Sequence, residues 1–99
     1  MTGHQLSVDC RAESDAWTCH VVVGDDDLAT RHEVRVEHDD LTSLDPGSDQ
    51  PAALVEESFR FMLEREPREA ILRRFALPVI GRYFPEYERE IRRRLAGAR

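Results

Sequence analysis

The stretch Trp17-Thr18-Cys19-His20-Val21-Val22-Val23 decides the fold. It sets Trp17, Cys19, Val21 and Val23 on one side and Thr18, His20 and Val22 on the other. Alternation with period two is the signature of a half-buried strand, because successive side chains leave opposite faces of the pleat. The same rhythm occurs before it, in Leu6, Val8, Cys10 and Ala12, and after it, in His32, Val34, Val36 and His38. Three such runs predict a three-stranded antiparallel sheet over about 5–12, 17–23 and 31–38, with one greasy face. The connections Glu13-Ser14-Asp15-Ala16 and Gly24-Asp25-Asp26-Asp27-Leu28-Ala29-Thr30 are polar and read as hairpin loops. A first turn at Ser14-Asp15 sets Leu6 opposite Val23, Val8 opposite Val21, Cys10 opposite Cys19 and Ala12 opposite Trp17. A second turn near Asp27-Leu28 sets Val21 opposite Val34 and Cys19 opposite Val36. A one-residue slip in either hairpin would turn a whole apolar row to water. The outer face then carries Asp9, Arg11, His20, Glu33, Arg35 and Glu37.

Beyond residue 42 the period changes. Residues 43–50 include Pro46-Gly47 and read as a linker turn. From Pro51 the apolar residues Leu54, Val55, Phe59, Met62 and Leu63 recur at three and four, which is helical spacing. Pro67, Pro78 and Pro85 then punctuate the chain, giving expected helices over about 51–65, 67–76, 78–84 and 85–97. In the last helix Glu86, Glu88 and Glu90 precede Arg92, Arg93 and Arg94, an order that suits the helix dipole and allows i,i+4 pairs. The expectation is one α+β domain over 1–99: a strand-rich half (1–42), the linker, and a helical half (51–99) that roofs one face of the sheet.

Ninety-nine residues allow a single domain, with 40% apolar and 34% charged residues. No apolar run approaches the roughly 18 residues of a membrane span. Met1-Thr2-Gly3-His4-Gln5 has no basic stretch and no apolar core of a signal peptide, so a cytoplasmic location is expected, and with it two free thiols at Cys10 and Cys19. All 14 basic residues are Arg, which points to a GC-rich genome. Charge is uneven. Residues 1–50 hold 12 acidic residues against 3 arginines, net −9, and residues 51–99 hold 8 against 11, net +3.

Few residues carry the marks of chemistry. His4, Cys10, Cys19, His20, His32 and His38 are metal-ligand types, but Cys19 and His20 are strand neighbours facing opposite ways, and no paired C-x-x-C occurs. Asp25-Asp26-Asp27 lacks the frame of a calcium loop and reads as a hairpin tip. Asp9, His20 and Arg35 would lie across an open sheet face, where cross-strand charge pairing is the plainer reading than acid–base chemistry. There is no nucleophile elbow, P-loop or dinucleotide fingerprint. The sequence therefore reads as non-enzymatic, with no cofactor and no metal.

Two surfaces remain. Aromatic residues crowd the helical half, and Phe61, Tyr83, Phe84 and Tyr87 are the candidate contacts with a protein partner, since aromatic residues and Arg dominate interface hot spots. Phe61 falls off the stripe of its helix. The second surface is basic: Arg73, Arg74, Arg82, Arg92, Arg93 and Arg94, with residues 71–84 carrying a flavour of a helix-turn-helix. A short second helix and a net charge of −6 weigh against nucleic acid. The expected function is a small non-catalytic protein-interaction or accessory domain, self-association into a homodimer included. Nucleic-acid binding through the Arg-rich tail is the alternative.

The run Leu54-Val55-Glu56-Glu57-Ser58-Phe59-Arg60-Phe61-Met62-Leu63-Glu64-Arg65-Glu66-Pro67, continued by Ile71-Leu72, Phe75, Leu77, Ile80 and Tyr83-Phe84-Pro85-Glu86-Tyr87-Glu88, resembles the tail of a family of small bacterial proteins. In the front half the likeness is weaker and rests on Trp17 and Thr30, His32, Val34 and Val36, while Met62 stands where Leu is more usual. The resemblance implies a natural domain unit and carries no activity, substrate or site.

Overall fold

The computed structural model describes residues 5–98. The α+β class is as expected. Strands β1 (Leu6–Ala12), β2 (Ala16–Val23) and β3 (Thr30–Glu37) form an antiparallel meander. There follow helices α1 (His38–Leu44) and α2 (Ala52–Leu63), a single 3-10 turn (Arg68–Ala70), strand β4 (Arg74–Ala76), and helices α3 (Val79–Tyr83) and α4 (Tyr87–Gly97). The sheet order is β1-β2-β3-β4, with β4 parallel to β3.

The first hairpin has the expected register, with Cys10 opposite Cys19 and Leu6 opposite Val23. The second is displaced by two residues: Cys19 faces Val34, Val21 faces His32 and Trp17 faces Val36. An even slip keeps every side chain on its face, so the apolar pattern alone does not distinguish the two registers. The loop decides. Gly24 turns at φ +97°, Asp26 Oδ1 accepts the Leu28 N–H (3.1 Å), and the Ala29 N–H donates to Asp26 O (3.1 Å), so the turn centres before Asp27. A side chain at Gly24 would meet both an unfavourable φ and the Arg68 guanidinium.

The sheet has four strands rather than three, and the helix expected over 67–76 is absent. Phe75 pairs with Val34 in β4; the Glu33 N–H donates to Arg73 O (2.8 Å), and the Leu77 N–H to Arg35 O (3.0 Å). Ile71, Phe75 and Leu77 are buried, while Leu72, Arg73, Arg74 and Ala76 are exposed, which approaches the alternation of a strand. A parallel strand needs a long crossover, and α1, α2 and the 3-10 turn supply it.

Helix α1 lies where the sequence suggested the end of a strand and a linker. The Asp40 carboxylate accepts the Glu37 N–H (2.9 Å), which fixes the entry into the helix, and Leu41 and Leu44, three apart, enter the core. The core itself joins Cys19, Val21, Val23, Val34 and Val36 of the sheet to Leu54, Val55, Phe59 and Met62 of α2 and Tyr87, Ile91 and Leu95 of α4. His32, on the same face, is buried: its Nδ1 lies 2.8 Å from Leu72 O and its Nε2 2.8 Å from Thr30 Oγ1. Cys10 and Cys19 form a disulfide and are not the free thiols expected from the sequence. Facing positions on adjacent strands bring their Cα atoms to 3.9 Å, so the bond closes within the hairpin. Among the described residues no helix is long and apolar enough to cross a membrane.

Candidate functional site

The aromatic residues nominated from the sequence separate into core and surface. Phe61 is 0% exposed and Tyr87 is 1% exposed, so neither is a contact residue. Phe61 lies off the sheet-facing stripe of α2, but α4 packs against that second flank. Its ring meets Tyr87 (centroids 5.4 Å) and Phe84 (5.7 Å) edge-on, and the Arg65 guanidinium covers it at 3.6 Å. Tyr87 in turn has its hydroxyl 2.6 Å from Ser58 Oγ. Burial pushes that phenol far above its ordinary range, so it stays neutral. Tyr83, by contrast, is 66% exposed, and Phe84 is half-buried.

Tyr83 and Phe84 belong to one pocket. The end of α2 gives Met62; the chain after it gives Glu66, Ala70, Ile71 and Leu72; β4 gives Phe75; α3 gives Val79, Ile80 and Tyr83, with Phe84 following. Its volume is about 120 Å³. That is comparable to the roughly 150 Å³ apolar cavity that accepts benzene, so it suits one branched or aromatic group. Pro78 and Pro85 delimit the short α3 and bend the chain, so Tyr83 stays at the mouth instead of continuing along a longer helix. Leu72 is 46% exposed at the rim, while its neighbour Ile71 is buried. Glu66 is a half-buried carboxylate in the wall, and among the described residues it makes no ion pair. Leu72 and Glu66 are the site residues the sequence reading missed. The signal for Leu72 was the in-out step between Ile71 and Leu72.

Four of the six nominated arginines are already paired with carboxylates. Arg92 pairs with Glu88 and hydrogen-bonds Ser43, Arg93 pairs with Glu90, and Arg94 is caught between Glu57, Glu64 (2.6 Å) and Glu90 (3.0 Å). Arg94 holds Glu64 below the usual carboxylate range, and Arg93 with Arg94 does the same to Glu90. Arg74 pairs with Glu33 (3.5 Å), while Arg73 and Arg82 make no ion pair among the described residues. The helix-turn-helix reading of 71–84 fails, since β4 occupies 74–76 and α3 spans only 5 residues.

On the outer sheet face His20 meets Glu33 (3.6 Å), and Arg35 meets Glu13 (3.6 Å), Asp15 (3.5 Å) and Glu37 (3.4 Å). His20 and Glu33 are a cross-strand pair, Glu37 lies on the same strand as Arg35, and Glu13 and Asp15 come from the β1–β2 turn, all on an open surface. Among the described residues no cluster of His, Cys, Asp and Glu could hold a metal ion; His4, one of the candidate ligands, lies outside them. Comparison with family models, curated proteins and solved structures finds no significant match to this chain.

Proposed function

We propose that this chain is a small non-catalytic protein-interaction or accessory domain whose contact surface is the pocket rimmed by Leu72 and Tyr83. One observation carries the reading: two of the largest exposed apolar side chains, Leu72 and Tyr83, stand at the mouth of an apolar pocket whose wall contains the Glu66 carboxylate. An apolar anchor entering a desolvated pocket is how protein interfaces concentrate their energy. A carboxylate beside it favours a partner that carries Lys or Arg next to an aliphatic or aromatic residue. The occupant of best fit is therefore a polypeptide segment with an apolar side chain flanked by a cation. Phe84 remains part of this surface, with the buried Phe61 ring packed edge-on behind it, while Tyr87 belongs to the core.

A photo-reactive phenylalanine analogue placed at position 83 tests this in living cells. The control site is 28, since Leu28 is 69% exposed but lies in the β2–β3 loop. A discrete cross-linked product from 83 and none from 28 is the expected result. Equal labelling from both sites removes the proposal.

Nucleic-acid binding has less support, because four of its six arginines already face carboxylates. Retention on duplex DNA at low salt, weakening steeply as salt rises, would revive it.

A further inference from the structure

The β1 edge of the sheet points to a partner; the other edge, β4, is only three residues long. The Gly24 N–H donates to Gln5 O and the Glu13 N–H to Ala16 O, both at 2.7 Å, and these bonds bracket the β1–β2 ladder. Odd-numbered residues of β1 therefore bond to β2, while Leu6, Val8, Cys10 and Ala12 turn their N–H and C=O groups outward. Among the described residues no strand lies on that side. Natural edge strands are usually protected by proline, a bulge or an inward-pointing charge. Strand β1 has no proline, bulge or inward-pointing charge: its register is unbroken from Leu6 to Ala12, its inner row is Leu6, Val8, Cys10 and Ala12, and its only charges, Asp9 and Arg11, are of opposite sign and lie on the outer face. Burial also fades toward this edge. Val21 and Val23 are fully covered, whereas Leu6, Val8 and Cys10 on the same face are half-buried.

We propose that the β1 edge pairs antiparallel with β1 of a second copy of this chain, about a two-fold axis at Cys10, to make one continuous sheet. Charge selects that register. Asp9 and Arg11 stand on the outer face, and neither makes an ion pair among the described residues. An axis at Asp9 would set Asp9 against its own copy, and an axis at Arg11 would set Arg11 against its own copy. An axis at Val8 leaves both residues opposite uncharged ones. An axis at Cys10 sets Asp9 opposite Arg11 of the second copy and Arg11 opposite its Asp9, at the close non-hydrogen-bonded positions. A symmetric pair repeats every favourable contact twice. The edge is a different surface from the Tyr83 pocket, and the inference stands without it.

Sedimentation equilibrium of the full chain, with charge variants, tests the proposal. The wild type forms a dimer. Asp9→Arg and Arg11→Asp each set like charges opposite one another at two places and weaken the dimer by about tenfold or more. The double swap D9R/R11D restores the opposite-charge pairs and returns the dissociation constant close to wild type. Tyr83→Ser leaves it unchanged. Amide exchange adds a readout that does not depend on a variant folding: the Val8, Cys10 and Ala12 N–H groups become protected as concentration rises through the dimer range. A wild type that stays monomeric at hundreds of micromolar overturns the proposal, and so does a dimer indifferent to Asp9→Arg. An edge that accepts only a foreign strand shows as a monomer in this assay and counts equally against it.

Discussion

The Tyr87 hydroxyl donates to Ser58 Oγ across 2.6 Å, and Ser58 passes its own proton to the Leu54 carbonyl at 2.7 Å, so one buried chain of hydrogen bonds ties α4 to α2. Both side chains are fully covered. Ser58→Ala leaves the tyrosine O–H without an acceptor in the core and costs about 1–3 kcal/mol. Tyr87→Phe removes the donor and leaves only a serine lone pair unmet, which costs about 1 kcal/mol. Urea unfolding of both variants and of the double variant checks this, with the double costing less than the sum.

The Cys10–Cys19 bond closes a short hairpin already held by the ladder. Chain entropy for a loop of about ten residues gives about 2–3 kcal/mol of stabilisation from the bond. Reduction with a thiol, or the paired change to Ser, lowers unfolding stability by that amount and keeps the fold. The same bond bears on location, since a reducing cytoplasm would open it. Acid trapping and alkylation of cells is expected to find the pair oxidised. A dithiol would mean that the chain works in a reducing compartment with the hairpin unlocked.

How much of this was legible from residues alone depends on which signal was unique. Alternation from Trp17 to Val23 excludes only odd slips, and the short connection Glu13-Ser14-Asp15-Ala16, with its turn at Ser14-Asp15, made the β1–β2 register readable. The β2–β3 register was not, because a two-residue slip buries the same side chains and only the Gly24–Ala29 loop distinguishes them. Strand β4 was hidden because Ile71, Leu72 and Phe75 also fit helical spacing; Arg74, Phe75, Ala76 and Leu77 carry too few residues for periodicity to decide. Phe61 looked surplus to its helix because its partners, Phe84 of the α3–α4 junction and Tyr87 of α4, reach it through a packing that no local pattern encodes. Tyr83 was singled out only as one of several crowded aromatics, and its exposure at the end of the short α3, just before Phe84 and Pro85, is what sets it apart from Phe61 and Tyr87.

His32 makes stability depend on pH. Burial holds its pKa below the ordinary 6.5, against the Leu72 carbonyl, which raises it, and with Arg73, which lowers it further. Below about 6.5 the unfolded chain takes up a proton that the folded chain refuses, so the unfolded state binds more protons there and stability falls as pH falls. The loss starts near pH 6.5 and continues down to the depressed folded pKa. His32→Gln flattens this part of the profile, at the cost of a weaker contact with Phe59, whose ring lies 5.3 Å from the imidazole. Thermal unfolding from pH 8 to pH 5 reads the difference between the two proteins.

The proposed contact is separable from folding at the pocket mouth. Leu72 and Tyr83 are exposed, so Leu72→Glu and Tyr83→Ser change stability by about 0.5 kcal/mol or less. Glu66→Gln keeps the shape of the wall and removes its charge, so it weakens a cationic partner and spares an uncharged one.

The most direct measurement is the cross-linking yield from position 83 in cells, with and without Leu72→Glu, alongside the melting temperature of each protein. A yield that collapses while the melting temperature holds is the predicted result. A yield that persists with a charge at the rim would contradict the pocket as the contact surface.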